Sequence, residues 1–162
     1  MNLKTIALAA GVSLAAVSIA TAAVEAGSPS AQVGASQPAR SEVALIEQGS
    51  ALLVRATING TATFTFEIDT GAGIVVLPQS VAAKLVTTAD FLGMRTYVFG
   101  DGRQRVQPTY RLRSVTVGGL TATDVTCAIG DEEDTFLLGR SFLRQFKSWS
   151  IDNRRRVLAL ET

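Results

Sequence analysis

The chain has 162 residues, 47% of them hydrophobic, with a formal net charge of +1, enough apolar material for one domain with a sizeable core and too much for a disordered chain. The near-neutral balance gives no sign of a nucleic-acid partner. A complete absence of histidine excludes Ser-His and Cys-His nucleophiles and the usual histidine-rich zinc sites, and the single cysteine, Cys127, excludes an internal disulfide.

Taken in order, Lys4 precedes an uncharged run from Thr5 to Val24, with small residues at Ala20-Thr21-Ala22 and around Val24-Glu25-Ala26. This reads as a signal peptide over residues 1–26, cut near Ala22 to Ala26, with an uncleaved N-terminal membrane anchor as the alternative. Either one implies an exported protein, periplasmic or facing the periplasm. Residues 27–40 have the Gly, Ser, Pro, Ala and Gln composition of a flexible linker, and the folded domain is expected over residues 41–162.

Two β-rich runs, Ala51 to Ile58 and Thr61 to Ile68, flank Asn59-Gly60, a hairpin signal because both turn positions need positive φ. In the second run Ala62, Phe64, Phe66 and Ile68 share one face and Thr63, Thr65 and Glu67 the other. The run ends on Asp69, and a second apolar stretch, Ile74 to Leu77, follows within a few residues. A carboxylate between two buried strands is costly unless something holds it, so Asp69 is the position that needs a function.

Pro78 can open a short helix through Leu85. Arg95 to Phe99 and Arg103 to Gln107 form strands around a flexible Gly100-Asp101-Gly102 tip. Arg111 to Val117 and Leu120 to Ile129 pair around Gly118-Gly119, with outward arginines on a solvated face and Cys127 as a buried, inert thiol. The acidic cluster Asp131 to Asp134 lacks the alternating ligand spacing and central glycine of an EF-hand calcium loop and reads as solvated surface; no metal site and no cofactor are expected. Phe136 to Leu138 is a short buried strand, Gly139 to Phe146 a short helix, and Ser148 to Ile151 with Arg156 to Leu160 a last hairpin. The count is many short strands and one or two brief helices, an all-β, closed or partly closed barrel-like domain.

Asp69-Thr70-Gly71-Ala72, set between Phe66-Glu67-Ile68 and Ile74-Val75-Val76-Leu77, resembles the active-site loop of the aspartic proteases. Gly100-Asp101-Gly102 resembles that family's flap, and Phe136-Leu137-Leu138-Gly139-Arg140 its hydrophobic-hydrophobic-Gly signature. With a single Asp-Thr-Gly, the chain resembles the single-lobe, retropepsin-like group, and its exported bacterial branch in Leu77-Pro78, the helix after it and Val117-Gly118-Gly119.

The resemblance implies an acid-protease lobe and an aspartic endopeptidase acting on peptide or protein substrates, with Asp69 catalytic. It implies a homodimer in which two copies of Asp69 share one proton and activate water, which explains how the chain dispenses with histidine. It further implies that Thr70 locks the two loops together, that Gly71 and Ala72 keep the turn small, that the flap Gly100, Asp101 and Gly102 closes over substrate, and that Leu138, Gly139 and Arg140 support the loop. Gly73 stands where family members commonly carry Ser, Thr or Asp. That departure motivates a second reading, a non-catalytic peptide-binding or assembly module on the same fold.

Overall fold

The computed structural model describes residues 39–131 and 135–162; the leader and nearly all of the linker, and Glu132 to Asp134 of the acidic cluster, lie outside the described residues. The first strand, β1 (Arg40–Ala44), starts at the last residue of the expected linker. It pairs antiparallel with the C-terminal strand β11 (Val157–Glu161), which also pairs with β10 (Ser148–Asp152). This three-stranded sheet, ordered β1-β11-β10, joins the two ends of the domain. The β10–β11 hairpin is visible in the sequence; β1 is not, because its partner lies at the far end of the chain.

The second sheet carries the functional region. After the short β2 (Ile46–Gln48), β3 (Ala51–Ile58) and β4 (Ala62–Ile68) form the expected hairpin. Asn59 and Gly60 both take positive φ, at 52° and 68°, and the Thr61 amide donates to Ile58 O at 3.0 Å. Val54, Ala56, Ile58 and Phe66 are fully buried, while Arg55, Thr63 and Thr65 face solvent, as strand alternation requires. Next come β5 (Val75–Leu77) and the helix α1 (Gln79–Leu85), in which Pro78 is the residue before the first turn rather than part of it.

The hairpin that follows is larger than the sequence suggests. Its arms are β6 (Phe91–Val98) and β7 (Gln104–Val117), and β7 is one 14-residue strand where the sequence reads as two pieces separated by Pro108. A strand tolerates proline where no neighbour needs its N–H, and the register with the next strand, β8 (Leu120–Ile129), begins one residue later, at Thr109 opposite Ala128. The β7–β8 connection is the Gly118-Gly119 turn. Arg111 and Arg113 are solvent-exposed, as expected. The two-residue strand β9 (Leu137–Leu138) runs parallel to β4 and antiparallel to β5, and leads into the four-residue helix α2 (Arg140–Leu143), shorter than the segment to Phe146 that the sequence suggested.

The strand order is β2-β3-β4-β9-β5-β8-β7-β6, and an additional pairing of β3 with β7 brings the sheet round on itself. The result is a mostly β, partly closed barrel with short helices. Its interior holds Phe66, Leu77, Leu112, Val115, Leu138, Phe142 and Leu143, all without solvent exposure, and Phe136 packs against both Phe64 and Phe66 with ring centroids 4.9 and 5.2 Å apart. Burying such aromatic and aliphatic side chains contributes about 1.5–3 kcal/mol each. Cys127 lies in this interior on β8, and burial pushes its thiol up to about 12, so it is protonated and unreactive at neutral pH. Among the described residues no helix is long and apolar enough to cross a membrane.

Candidate active site

Asp69 follows the last residue of β4, and the turn from Asp69 to Ile74 carries the chain across to β5. Three sets of hydrogen bonds fix that turn. Within it, Asp69 Oδ1 accepts from the amides of Gly71 at 2.8 Å and Ala72 at 3.2 Å. From the β9 side, the Asp69 amide donates to Leu138 O at 3.3 Å, and the Arg140 amide donates to Ala72 O at 2.9 Å. From α2, the Ser141 hydroxyl accepts from the Val75 amide at 2.9 Å and donates to Thr126 O of β8 at 2.7 Å.

Gly139 is the point of closest approach. A Cβ on it would lie 2.1 Å from Ile74 O and 2.9 Å from Ala72 O, so any side chain here collides with turn backbone. Leu138 is fully buried behind the turn, and Arg140 is exposed, meeting the turn through its backbone amide. Ser141 was not singled out from sequence. A lone serine beside a helix start carries no local signal of its two partners, which lie on β5 and β8.

The remaining turn residues divide by exposure. Thr70, Gly71 and Gly73 are exposed and Ala72 half-buried. A Cβ on Gly73 would meet nothing within 4 Å, so glycine there is not a steric requirement. Asp69 Oδ2 accepts no hydrogen bond from a described residue, and the carboxylate lines a cleft of about 470 Å³.

That cleft brings the turn and the β6–β7 hairpin together. Gly71, Ala72, Gly73, Ile74 and Val76 line it from the turn side, and Tyr97, Val98, Phe99 and Gly100 from the hairpin. Of the three tip residues read from sequence, Gly100 faces the cleft; Asp101 and Gly102 do not line it. Asp101 instead shapes the tip: its carboxylate accepts from the Arg103 amide at 3.0 Å and from Arg103 Nε. Those two bonds, the backbone one first, hold its carboxyl below the ordinary value of 3.8. The tip closes with Phe99 donating to Arg103 O at 2.8 Å and Gly102 to Phe99 O at 2.9 Å.

Further along the hairpin the Arg105 guanidinium lies 5.2 Å from the centre of the Phe99 ring and forms a salt bridge with Asp131, across the cleft rim. Asp131 is itself exposed; the rest of the acidic cluster lies outside the described residues. Tyr97 and Thr109 share a hydrogen bond of 2.7 Å between their hydroxyls, and Gln107 completes this inner face of the hairpin. Sequence reading did not name these three. Their signal is the phase of β7, where residues 107 and 109 are polar yet occupy inward positions.

An all-β lobe in which an Asp-Thr-Gly turn is pinned from behind by a parallel Leu-Leu-Gly strand, opposite a glycine-tipped hairpin, has the architecture of an acid protease. The family model for aspartyl proteases matches residues 54–142, more than half the chain and all the elements that build the cleft apart from its outermost supports. The chain belongs to the aspartyl protease family. Its structure is similar to a retropepsin-like aspartic protease from Rickettsia conorii, with a TM-score of 0.59 and 26% identity over 77% of this chain and 92% of that one. No curated protein matches the sequence. Family and fold together make the protein peptidase-like, of the retropepsin-like kind.

Proposed function

We propose that the protein is an exported aspartic endopeptidase whose active site forms when two copies of the chain bring their Asp69 carboxylates together. The observation that carries this reading is the state of Asp69: one oxygen fixed by two backbone amides, the other without a partner, in a cleft where no other carboxylate lines the wall among the described residues. One carboxylate is half of the required machinery, and a twofold axis through the turn supplies the other half.

In the assembled site the two carboxyl groups hold one proton between them. The ionised group removes a proton from water as the water oxygen adds to the peptide carbonyl carbon, while the protonated group gives its proton to the carbonyl oxygen. The tetrahedral species then collapses: the carbon–nitrogen bond breaks and the amine leaves with a proton returned through the dyad. The amides of Gly71 and Ala72 keep Asp69 oriented throughout. Thr70, exposed beside it, is placed to bond the turn of the second copy. The hairpin around Gly100 covers an extended peptide and excludes bulk water.

The test is Asp69→Asn. Digestion of a mixed peptide library at acidic and neutral pH should fall by about three orders of magnitude or more with the fold unchanged, the scale expected for losing a proton-transfer group at the reacting atoms. An Asn variant as active as wild type overturns the reading. Sedimentation across concentration supplies the second condition: active fractions must contain dimer, and an active strict monomer excludes the shared site. The non-catalytic module draws its support from Gly73, which has no side chain to hydrogen-bond the Asp69 carboxylate; it predicts peptide binding with no cleavage at any pH.

A further inference from the structure

Gln107 is 6% exposed, one of only two buried polar residues among those described. The other, Thr109, is satisfied by Tyr97, whereas the Gln107 amide makes no hydrogen bond to any described residue. Among the described residues no enclosed side-chain nitrogen or oxygen is left without a partner, so the small exposure of Gln107 includes its amide, and the surface it opens onto is the cleft. A carboxamide that is nearly buried and bonded only by cleft solvent is left unpaired by any ligand that displaces that solvent without replacing its hydrogen bonds.

The sheet register says what part of a ligand can reach it. Leu137 pairs with Val76, Val76 with Ala128 and Ala128 with Thr109, which makes an apolar floor running from the Asp69 turn to β7. Gln107 is the next inward position on β7 beyond Thr109. Gln107 and Asp69 line the same cleft, so a side chain of a peptide bound there that lies over this floor meets the amide.

We propose that Gln107 is a specificity-determining residue whose amide reads the carboxamide of an asparagine or glutamine side chain in the bound peptide; this rests on the cleft being a peptide site. A carboxamide answers both halves of Gln107, accepting from its NH₂ while donating to its carbonyl oxygen. An aliphatic side chain leaves the buried amide unpaired. A carboxylate or ammonium loses its hydration against an apolar floor.

Binding and cleavage are measured separately. In Asp69→Asn protein, which keeps peptides intact, octapeptides carrying Gln, Asn, Leu, Glu or Lys at each position in turn are titrated by calorimetry. At one position the Gln or Asn peptide should bind about 10-fold tighter than the Leu peptide, the scale of a buried hydrogen-bonded pair. Adding Gln107→Leu, which replaces the amide by an apolar group of similar size, should remove or reverse that preference, and Gln107→Glu should shift it toward Lys. Thermal unfolding of both variants checks that they fold. Selectivity unchanged in both variants, a wild-type preference for charged ends, or no peptide binding at all overturns the proposal. With Asp69 intact, selective binding without cleavage sinks the peptidase reading alone, and cleavage whose specificity is indifferent to residue 107 sinks this inference alone.

Discussion

The two walls of the cleft are built on opposite principles. The Asp69 turn is held by distant chain: Leu138 of β9 accepts from the Asp69 amide, the Arg140 amide donates to Ala72 O, Ser141 of α2, itself bonded to β8, holds Val75 just after the turn, and Gly139 presses against the turn closely enough to exclude a methyl group. The facing hairpin tip is held by itself, through bonds among Phe99, Asp101, Gly102 and Arg103. Val98 and Val106, on its arms, are 68% and 62% exposed. The contrast suits the proposed function, in which the Asp69 carboxylate stays put while the hairpin closes over a peptide.

The sharpest way to break the rigid wall is Gly139→Ala. The new Cβ meets turn backbone at 2.1 Å, which cannot be relieved by rotating a side chain, so a loss of about 3 kcal/mol or more is expected in denaturant unfolding. The same change at Gly73, where a Cβ meets nothing, should alter stability by less than about 0.5 kcal/mol. Similar losses at the two glycines would mean that the turn is not pinned from behind.

Ser141→Ala should have an intermediate effect. It leaves the Val75 amide and the Thr126 carbonyl without their shared partner, for a loss of about 1–3 kcal/mol. Hydrogen exchange should then accelerate at Val75 more than at the hairpin tip.

The hairpin wall should show its smaller effect in acid. The Asp101 carboxyl is held below its ordinary value by Arg103, so the ionised form steadies the tip. That contribution is fully present above 3.8, the ordinary value, and fades as pH falls through the depressed folded value. Amide exchange at Gly102 and Arg103 in wild type should therefore quicken, beyond the intrinsic pH dependence, only in that acidic window. Asp101→Asn should show the fast behaviour at all pH values with global stability unchanged, and an acid response that survives the substitution would assign it to another group.

The sequence was most legible where structure is local. The Asn59-Gly60 and Gly118-Gly119 hairpins, the glycine-flanked tip and the terminal β10–β11 pair all announce themselves within a dozen residues. It was also legible at Asp69-Thr70-Gly71 and Leu137-Leu138-Gly139, where short runs of residue types match the family's pattern. What it hid is nonlocal: β1 depends on β11, Ser141 on β5 and β8, and the continuity of β7 through Pro108 on where a neighbouring strand begins. Gln107 was hidden for a different reason. Placed in a strand it looks like ordinary surface polarity, and only the burial phase of β7 turns it into an anomaly.

The parallel pairing of Glu67 and Ile68 with Leu137 and Leu138 also sets an order of events in time. Strands so far apart in sequence close a long loop before they gain contacts, and such pairings form slowly. The supports that Leu138, Gly139 and Arg140 give the Asp69 turn are therefore in place only after most of the chain has been synthesised and β9 has docked. A nascent or unfolded molecule carries the aspartate without those supports, so under the proposed function completion of the fold comes before any cleavage.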